Sequence, residues 1–172
     1  MFVHEEYNNT EYEYGGTVMN DVALLKLSEK VPRTTHVLPL CGKDFNSTGL
    51  ELKLVGLGNI HPIAPITGEA KKEEPTDLRL QEVELGETTT CPKLWKGHTP
   101  VSEMEVCALG GDKQGCYGDS GGPLFPVDEE DDAMCLYGVV SYGSENCLGG
   151  VTIFMKVPYF EDWIEQTIHQ NS

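Results

Sequence analysis

An all-β fold, a barrel or a sandwich closed by a single C-terminal helix, is what this sequence predicts. Three observations carry that reading. Short runs rich in aliphatic, β-branched and aromatic residues recur along the chain, each of strand length. Breakers separate them, with 19 glycines and 10 prolines in 172 residues. Only the C-terminal segment places apolar residues at helical spacing. No internal repeat is present.

The elements follow in order. Residues 1–20 are polar and tyrosine-rich and announce no element. Val22-Ala23-Leu24-Leu25-Lys26-Leu27 is an apolar run of strand length, ended by Pro32. Glu51-Leu52-Lys53-Leu54-Val55 alternates with period 2 until Gly56 and Gly58 break it. Residues 59–77 are proline-rich without a period and read as a long loop. Leu78 to Leu85 alternates and reads as a half-buried strand. Gly110, Gly111, Gly115, Gly118, Gly121 and Gly122 mark a loop-dominated region. Leu136–Tyr142 and Val151–Met155 are strands by composition. Phe160, Trp163, Ile164, Thr167 and Ile168 share one helical face just after Pro158. The acidic run Asp128-Glu129-Glu130-Asp131-Asp132 falls between two strands and reads as a solvated hairpin loop, with a calcium or cationic-partner site as the alternative.

Charge narrows the function classes. Twelve basic and 28 acidic residues give a formal charge of −16. Such a chain repels the phosphates of nucleic acid and an anionic bilayer surface, so neither is an expected partner. No apolar run approaches the length of a membrane span. Residues 1–6 lack the basic and apolar regions of a signal peptide. Cys41, Cys91, Cys107, Cys116, Cys135 and Cys147 include no Cys-x-x-Cys pair. Six widely spaced cysteines suit disulfides and an oxidising, extracellular setting more than a metal site. The reading requires no cofactor and no metal. Asn8-Asn9-Thr10 and Asn46-Ser47-Thr48 match the N-glycosylation pattern, a short motif that recurs by chance. A secreted-looking body without a secretory start implies a missing N-terminus.

The chemistry concentrates in Gly118-Asp119-Ser120-Gly121-Gly122-Pro123. It contains G-x-S-x-G, the nucleophile elbow of α/β-hydrolases, and Asp162 and His169 follow in the order of that fold. The elbow needs a helix directly after the serine, whereas here Pro123 and Pro126 flank apolar residues of strand character. Taken with Asn20-Asp21-Val22-Ala23-Leu24-Leu25-Lys26-Leu27 and the closing Tyr159 and Trp163-Ile164, the hexapeptide instead resembles the chymotrypsin/trypsin family of serine proteases. The resemblance runs from about residue 2 to residue 169.

That resemblance implies a chymotrypsin-like double β-barrel and a serine endopeptidase that takes polypeptide substrates or protein inhibitors. Ser120 is then the nucleophile and Asp21 the carboxylate that orients the catalytic histidine. The N–H groups of Gly118 and Ser120 form the oxyanion hole. Asp119 pairs with the ammonium released by zymogen cleavage. Ser141 lies on the strand that pairs with substrate backbone. Gln114 sits at the base of the specificity pocket, with Gly143 on one wall and Thr152, or Gly150 if the loop is shifted, on the other. A neutral Gln114 offers a cationic side chain no counter-ion, so uncharged residues of small to medium size are favoured before the cut.

The family's histidine, in an Ala-Ala-His-Cys setting upstream of the aspartate, has no match here. His4 lies in Phe2-Val3-His4-Glu5-Glu6-Tyr7, which resembles a family strand without a catalytic role. His36, His61, His98 and His169 match no catalytic position. The expectation is an N-terminally truncated trypsin-like domain over 1–172. Residues 1–45 are a remnant of the first barrel, 46–158 the complete second barrel and 159–169 the C-terminal helix. Such a chain is inactive by itself. The alternative is a non-catalytic protease homologue acting as a protein-binding module. The resemblance pairs Cys91 with Cys107 and Cys116 with Cys147. Cys41 pairs with Cys135 or with an upstream segment outside the chain. Leu52 and Pro126 stand where another common family bridge would have its cysteines.

Overall fold

The computed structural model describes residues 1–9, 18–59, 75–86, 91, 103–110, 115–128, 132–143, 147 and 150–172. Ten strands and one helix are described. The short ones come first: β1 Phe2–Val3, β2 Asn8–Asn9, β3 Val18–Met19 and β4 Ala23–Leu24. The longer ones are β5 Leu52–Gly56, β6 Arg79–Leu85, β7 Glu105–Leu109, β8 Pro123–Pro126, β9 Gly138–Gly143 and β10 Val151–Lys156. A 3-10 turn at Val157–Phe160 leads into α1, Glu161–Gln170. The expected all-β fold with one C-terminal helix is present.

It is a barrel and not a sandwich. The six longer strands close in the order β10-β7-β6-β5-β8-β9, every neighbouring pair antiparallel. Closure pairs both edges of each strand and leaves no open ladder. Leu52, Leu54, Val83, Ala108, Leu124, Val140 and Phe154 form its buried interior. Met155, Val157, Phe160 and Ile164 form a second cluster where α1 docks. Pro158 is the second residue of the 3-10 turn, where its missing N–H costs nothing.

Two strands differ from their sequence reading. Val22–Leu27 gives only the two-residue β4, because its one partner among the described residues is the equally short β1. Leu25 and Leu27 remain 71% and 62% exposed. In β6 the inward positions are Gln81 and Val83, which face Leu54 and Leu52 across the ladder. Leu78 and Leu80 therefore point outward and are exposed. The apolar phase of this run shifts by one residue at Glu82, and pairing with β5 selects the Val83 phase.

All six cysteines are bonded: Cys41 to Cys135, Cys91 to Cys107 and Cys116 to Cys147. The expectation that Cys41 could reach a segment outside the chain is thereby corrected, since its sulfur is taken within the chain. The ends of the acidic run close as a hairpin, with Val127 bridged to Ala133 and Asp128 N–H donating to the Asp132 carbonyl at 3.0 Å. Residues 129–131 of that run and residues 60–74 of the proline-rich loop lie outside the described residues. No described helix is long and apolar enough to cross a membrane.

Candidate active site

The serine turn connects the Cys116–Cys147 bridge to β8. Asp119 N–H donates to the Cys116 carbonyl at 3.0 Å, and Gly118 within that turn has φ +98°. A closing bond with positive φ at the third residue is the type II pattern, which selects glycine there. The next glycines tie the turn to β9. Gly121 N–H donates to the Val140 carbonyl, and Val140 N–H to the Gly122 carbonyl, both at 2.9 Å. A Cβ on Gly122 would press against the carbonyl oxygens of Asp119 and Val55. The chain thus reverses sharply around Ser120 and leaves it exposed. Neither the Gly118 nor the Ser120 N–H has a partner among the described residues. Two unpaired donors flanking an exposed hydroxyl are what stabilisation of a developing oxyanion requires.

Asp119 is held from both sides. Its Oδ1 accepts the Gly58 N–H and its Oδ2 the Cys116 N–H, each at 2.8 Å. A Cβ on Gly56 or Gly58 would overlap the carboxylate. The residue that the resemblance pairs with an ammonium is here supplied with two backbone donors. By sequence Gly56 and Gly58 read as strand breakers only. Their spacing, with one residue between them, is the signal for the cradle.

Asp21 comes from the other end of the chain. Asn20 before it has φ 53°, a conformation asparagine tolerates better than most residues. Its Nδ2 donates to the Glu6 carbonyl at 3.1 Å, and Val22 N–H closes back on the Asn20 carbonyl at 2.8 Å. The resulting kink sends Asp21 towards β9, where its Oδ2 accepts the Ser141 hydroxyl at 2.6 Å. Two candidate residues separated by 120 positions thus meet, and their bond joins the N-terminal strands to the barrel.

The pocket candidates are partly in view. Gly143 pairs with Thr152 across β9 and β10. Thr152 is only 2% exposed, and its hydroxyl accepts the Gly115 N–H at 2.9 Å. It therefore braces the segment before the serine turn from within. Gly150 is buried at φ 66° and accepts the Gly110 N–H through its carbonyl. Gln114, His61 and His98 lie outside the described residues. His36 and His169 are exposed. The His4 ring packs against Trp163 at 4.9 Å and against the edge of Phe160 at 5.7 Å, while its Nδ1 accepts the Glu6 N–H. Among the described residues no group of His, Cys, Asp or Glu forms a metal cluster.

Comparison with known proteins fits this geometry. The family model described as Trypsin matches residues 1–164. Chymotrypsin-like elastase family member 3A of Homo sapiens is 32% identical over 176 residues, covering 98% of this chain and 60% of that protein. Transmembrane protease serine 11E of Mus musculus is 31% identical, covering 95% of this chain and 37% of that protein. Among solved structures, neuropsin, a serine protease expressed in the limbic system of mouse brain, superposes with a TM-score of 0.75 at 25% identity. That match covers 97% of this chain and 69% of the neuropsin chain. The chain spans 60% or less of the length of these two curated relatives. With the serine turn, the Asp21–Ser141 contact and the closed barrel in place, the chain belongs to the trypsin family of serine proteases.

Proposed function

We propose that this chain carries the nucleophile, the orienting carboxylate and the oxyanion donors of an extracellular serine endopeptidase, and that it does not carry the general base. The observation that supports this reading most is the exposed Ser120 beside the N–H groups of Gly118 and Ser120, which have no partner among the described residues. In the proposed reaction Ser120 Oγ attacks a peptide carbonyl and its proton passes to a histidine oriented by Asp21. The tetrahedral oxyanion rests on the two N–H groups, and the amine leaves to give an acyl-enzyme that water then hydrolyses. Each oxyanion donor contributes about 3 kcal/mol of transition-state stabilisation. The partners are polypeptide substrates and protein inhibitors, and three disulfides suit an extracellular setting.

His4, the one histidine ahead of Asp21, is engaged with Trp163 and Phe160 on the helical side of the molecule. A serine without an adjacent base is a weak nucleophile at neutral pH. The purified chain, with its disulfides formed, should therefore not label with a fluorophosphonate probe. A chimera carrying an Ala-Ala-His-Cys first-barrel segment from a relative ahead of Phe2 should label, and Ser120→Ala should abolish the label. Stoichiometric labelling of the chain alone at Ser120 would overturn the missing base. A folded chimera that takes no label would instead support a non-catalytic binding module. In the labelling chimera, Gln114→Asp should raise cleavage after Arg in a peptide library, and an unchanged profile would refute the pocket assignment.

A further inference from the structure

The segment between the Cys41–Cys135 bridge and β5 holds an acceptor motif that the protease reading does not use. Its side chains alternate. Phe45 turns inward onto Tyr137, with ring centroids 5.8 Å apart, and Ser47 Oγ donates to the Tyr137 hydroxyl at 3.1 Å. Asn46 and Thr48, between and beyond them, are both exposed. The backbone is fixed by a Phe45 N–H bond to the Gly42 carbonyl and a Leu50 N–H bond to the Ser47 carbonyl, with Gly49 at φ +79°. Within this turn Asn46 Oδ1 accepts the Thr48 N–H at 3.0 Å, which makes an Asx turn.

That bond orients the carboxamide. Its oxygen is committed to the backbone of the residue two positions on. Its nitrogen and the Thr48 hydroxyl have no partner among the described residues. Asn46-Ser47-Thr48 has no proline at its centre, and glycosylation acceptors of this pattern occupy surface loops of secreted proteins. Three disulfides, one of them anchored at Cys41 just upstream, place the chain's chemistry in a compartment where such transfer occurs. The other acceptor motif differs: Asn8 lies in β2, extended and paired with Met19.

We propose that Asn46 is an N-glycosylation site. The donor class is an oligosaccharide carried on a polyprenyl pyrophosphate. Asn46 Nδ2 forms the new bond to the anomeric carbon, and the bond from that carbon to the pyrophosphate oxygen breaks. The lipid pyrophosphate leaves with the electron pair, and Nδ2 gives up one proton to a base of the transferring enzyme. No group is oxidised or reduced. The inward contacts of Phe45 and Ser47 keep the glycan outside the barrel, so the fold tolerates it.

The test expresses the 172-residue chain behind a secretion signal in mammalian cells. Glycan amidase treatment in heavy-oxygen water, followed by peptide mapping, reads occupancy on both the secreted and the cell-retained pools, so a poorly folding variant still gives an answer. The expected result is heavy-oxygen aspartate at position 46, lost in Thr48→Ala and retained in Ser47→Ala and Asn8→Gln. The intact mass should fall by one glycan in Asn46→Gln, with all three disulfides kept. Occupancy of Asn8 in addition to Asn46 supports the proposal equally. An unmodified Asn46 in the wild-type chain, or a glycan confined to Asn8, would overturn it.

Discussion

The closed barrel and the N-terminal strands are held together differently. Within the barrel, Leu52, Leu124, Ile153 and Phe154 are 1% exposed or less, and every strand has two partners. Among the described residues of the first 24, β1 pairs only with β4 and β2 only with β3. A two-stranded ladder is marginal in water. This N-terminal region packs Met19, Val22 and Leu24 against the cluster of Met155, Phe160 and Ile164, and polar and aromatic contacts add to this anchoring. His4 lies on Trp163, Glu5 accepts the Trp163 indole N–H, and Lys26 donates to the Asn171 carbonyl at 2.6 Å. Fully buried apolar positions concentrate where the ladder closes on itself, while β3 contributes Val18 at 8% exposed.

The sharpest way to break that comparison is to weaken each region by one side chain. Phe154→Ala empties the barrel centre and should cost about 3–5 kcal/mol by urea unfolding with the disulfides intact. Leu25→Ala, in the N-terminal region, should stay within about 0.5 kcal/mol, because that side chain is already 71% exposed. Equal losses at the two positions would mean that the N-terminal strands share in the core.

The second prediction concerns the joint between barrel and serine turn. Gly58→Ala puts a methyl group into the Asp119 carboxylate, and overpacking of this kind costs about 1–3 kcal/mol. The amide resonances of Gly118 and Ser120 should shift with it. Gly42→Ala is the control, because its Cβ would meet only the Glu161 carboxylate at an ordinary 3.6 Å. Unmoved Gly118 and Ser120 resonances in a folded Gly58→Ala chain would show that the cradle does not position the turn.

The same two regions differ in how much of them could be read from sequence. The hexapeptide around Ser120 was legible because its glycines answer to backbone geometry, at φ +98° for Gly118 and φ +80° for Gly121. Strands β5, β9 and β10 were legible because closure buries their apolar positions. β7 was not singled out. Both of its faces are covered, so Glu105–Leu109 has no alternation, and buried Glu105 interrupts its apolar character while accepting the Tyr142 hydroxyl at 2.9 Å. β2 and β3 were illegible because a two-residue strand carries no period, and β1 was read as strand only through the family resemblance. The family resemblance named Asp21 and Ser141 but not their contact, because no local pattern spans 120 positions.

The smallest expected effect tests the N-terminal anchor itself. The Glu5 carboxyl titrates below the ordinary glutamate range, first through a bond to its own backbone N–H and then through the Trp163 indole N–H. A depressed pKa in the folded state means that the stabilisation is fully present above the unfolded value, about 4.3, and is lost as pH falls through the lower folded value. Amide exchange at His4, whose N–H donates to the Val22 carbonyl at 3.1 Å, reports on the β1–β4 segment directly. After correction for intrinsic exchange rates, its protection should decline on acidification below the ordinary glutamate range. In Glu5→Ala it should already be reduced at neutral pH and change less over the same interval. Amides of β10, deep in the closed barrel, should show no difference between the two chains. A parallel loss of protection in β10 would mean that the N-terminal strands and the barrel open as one unit, and the distinction between them would fail.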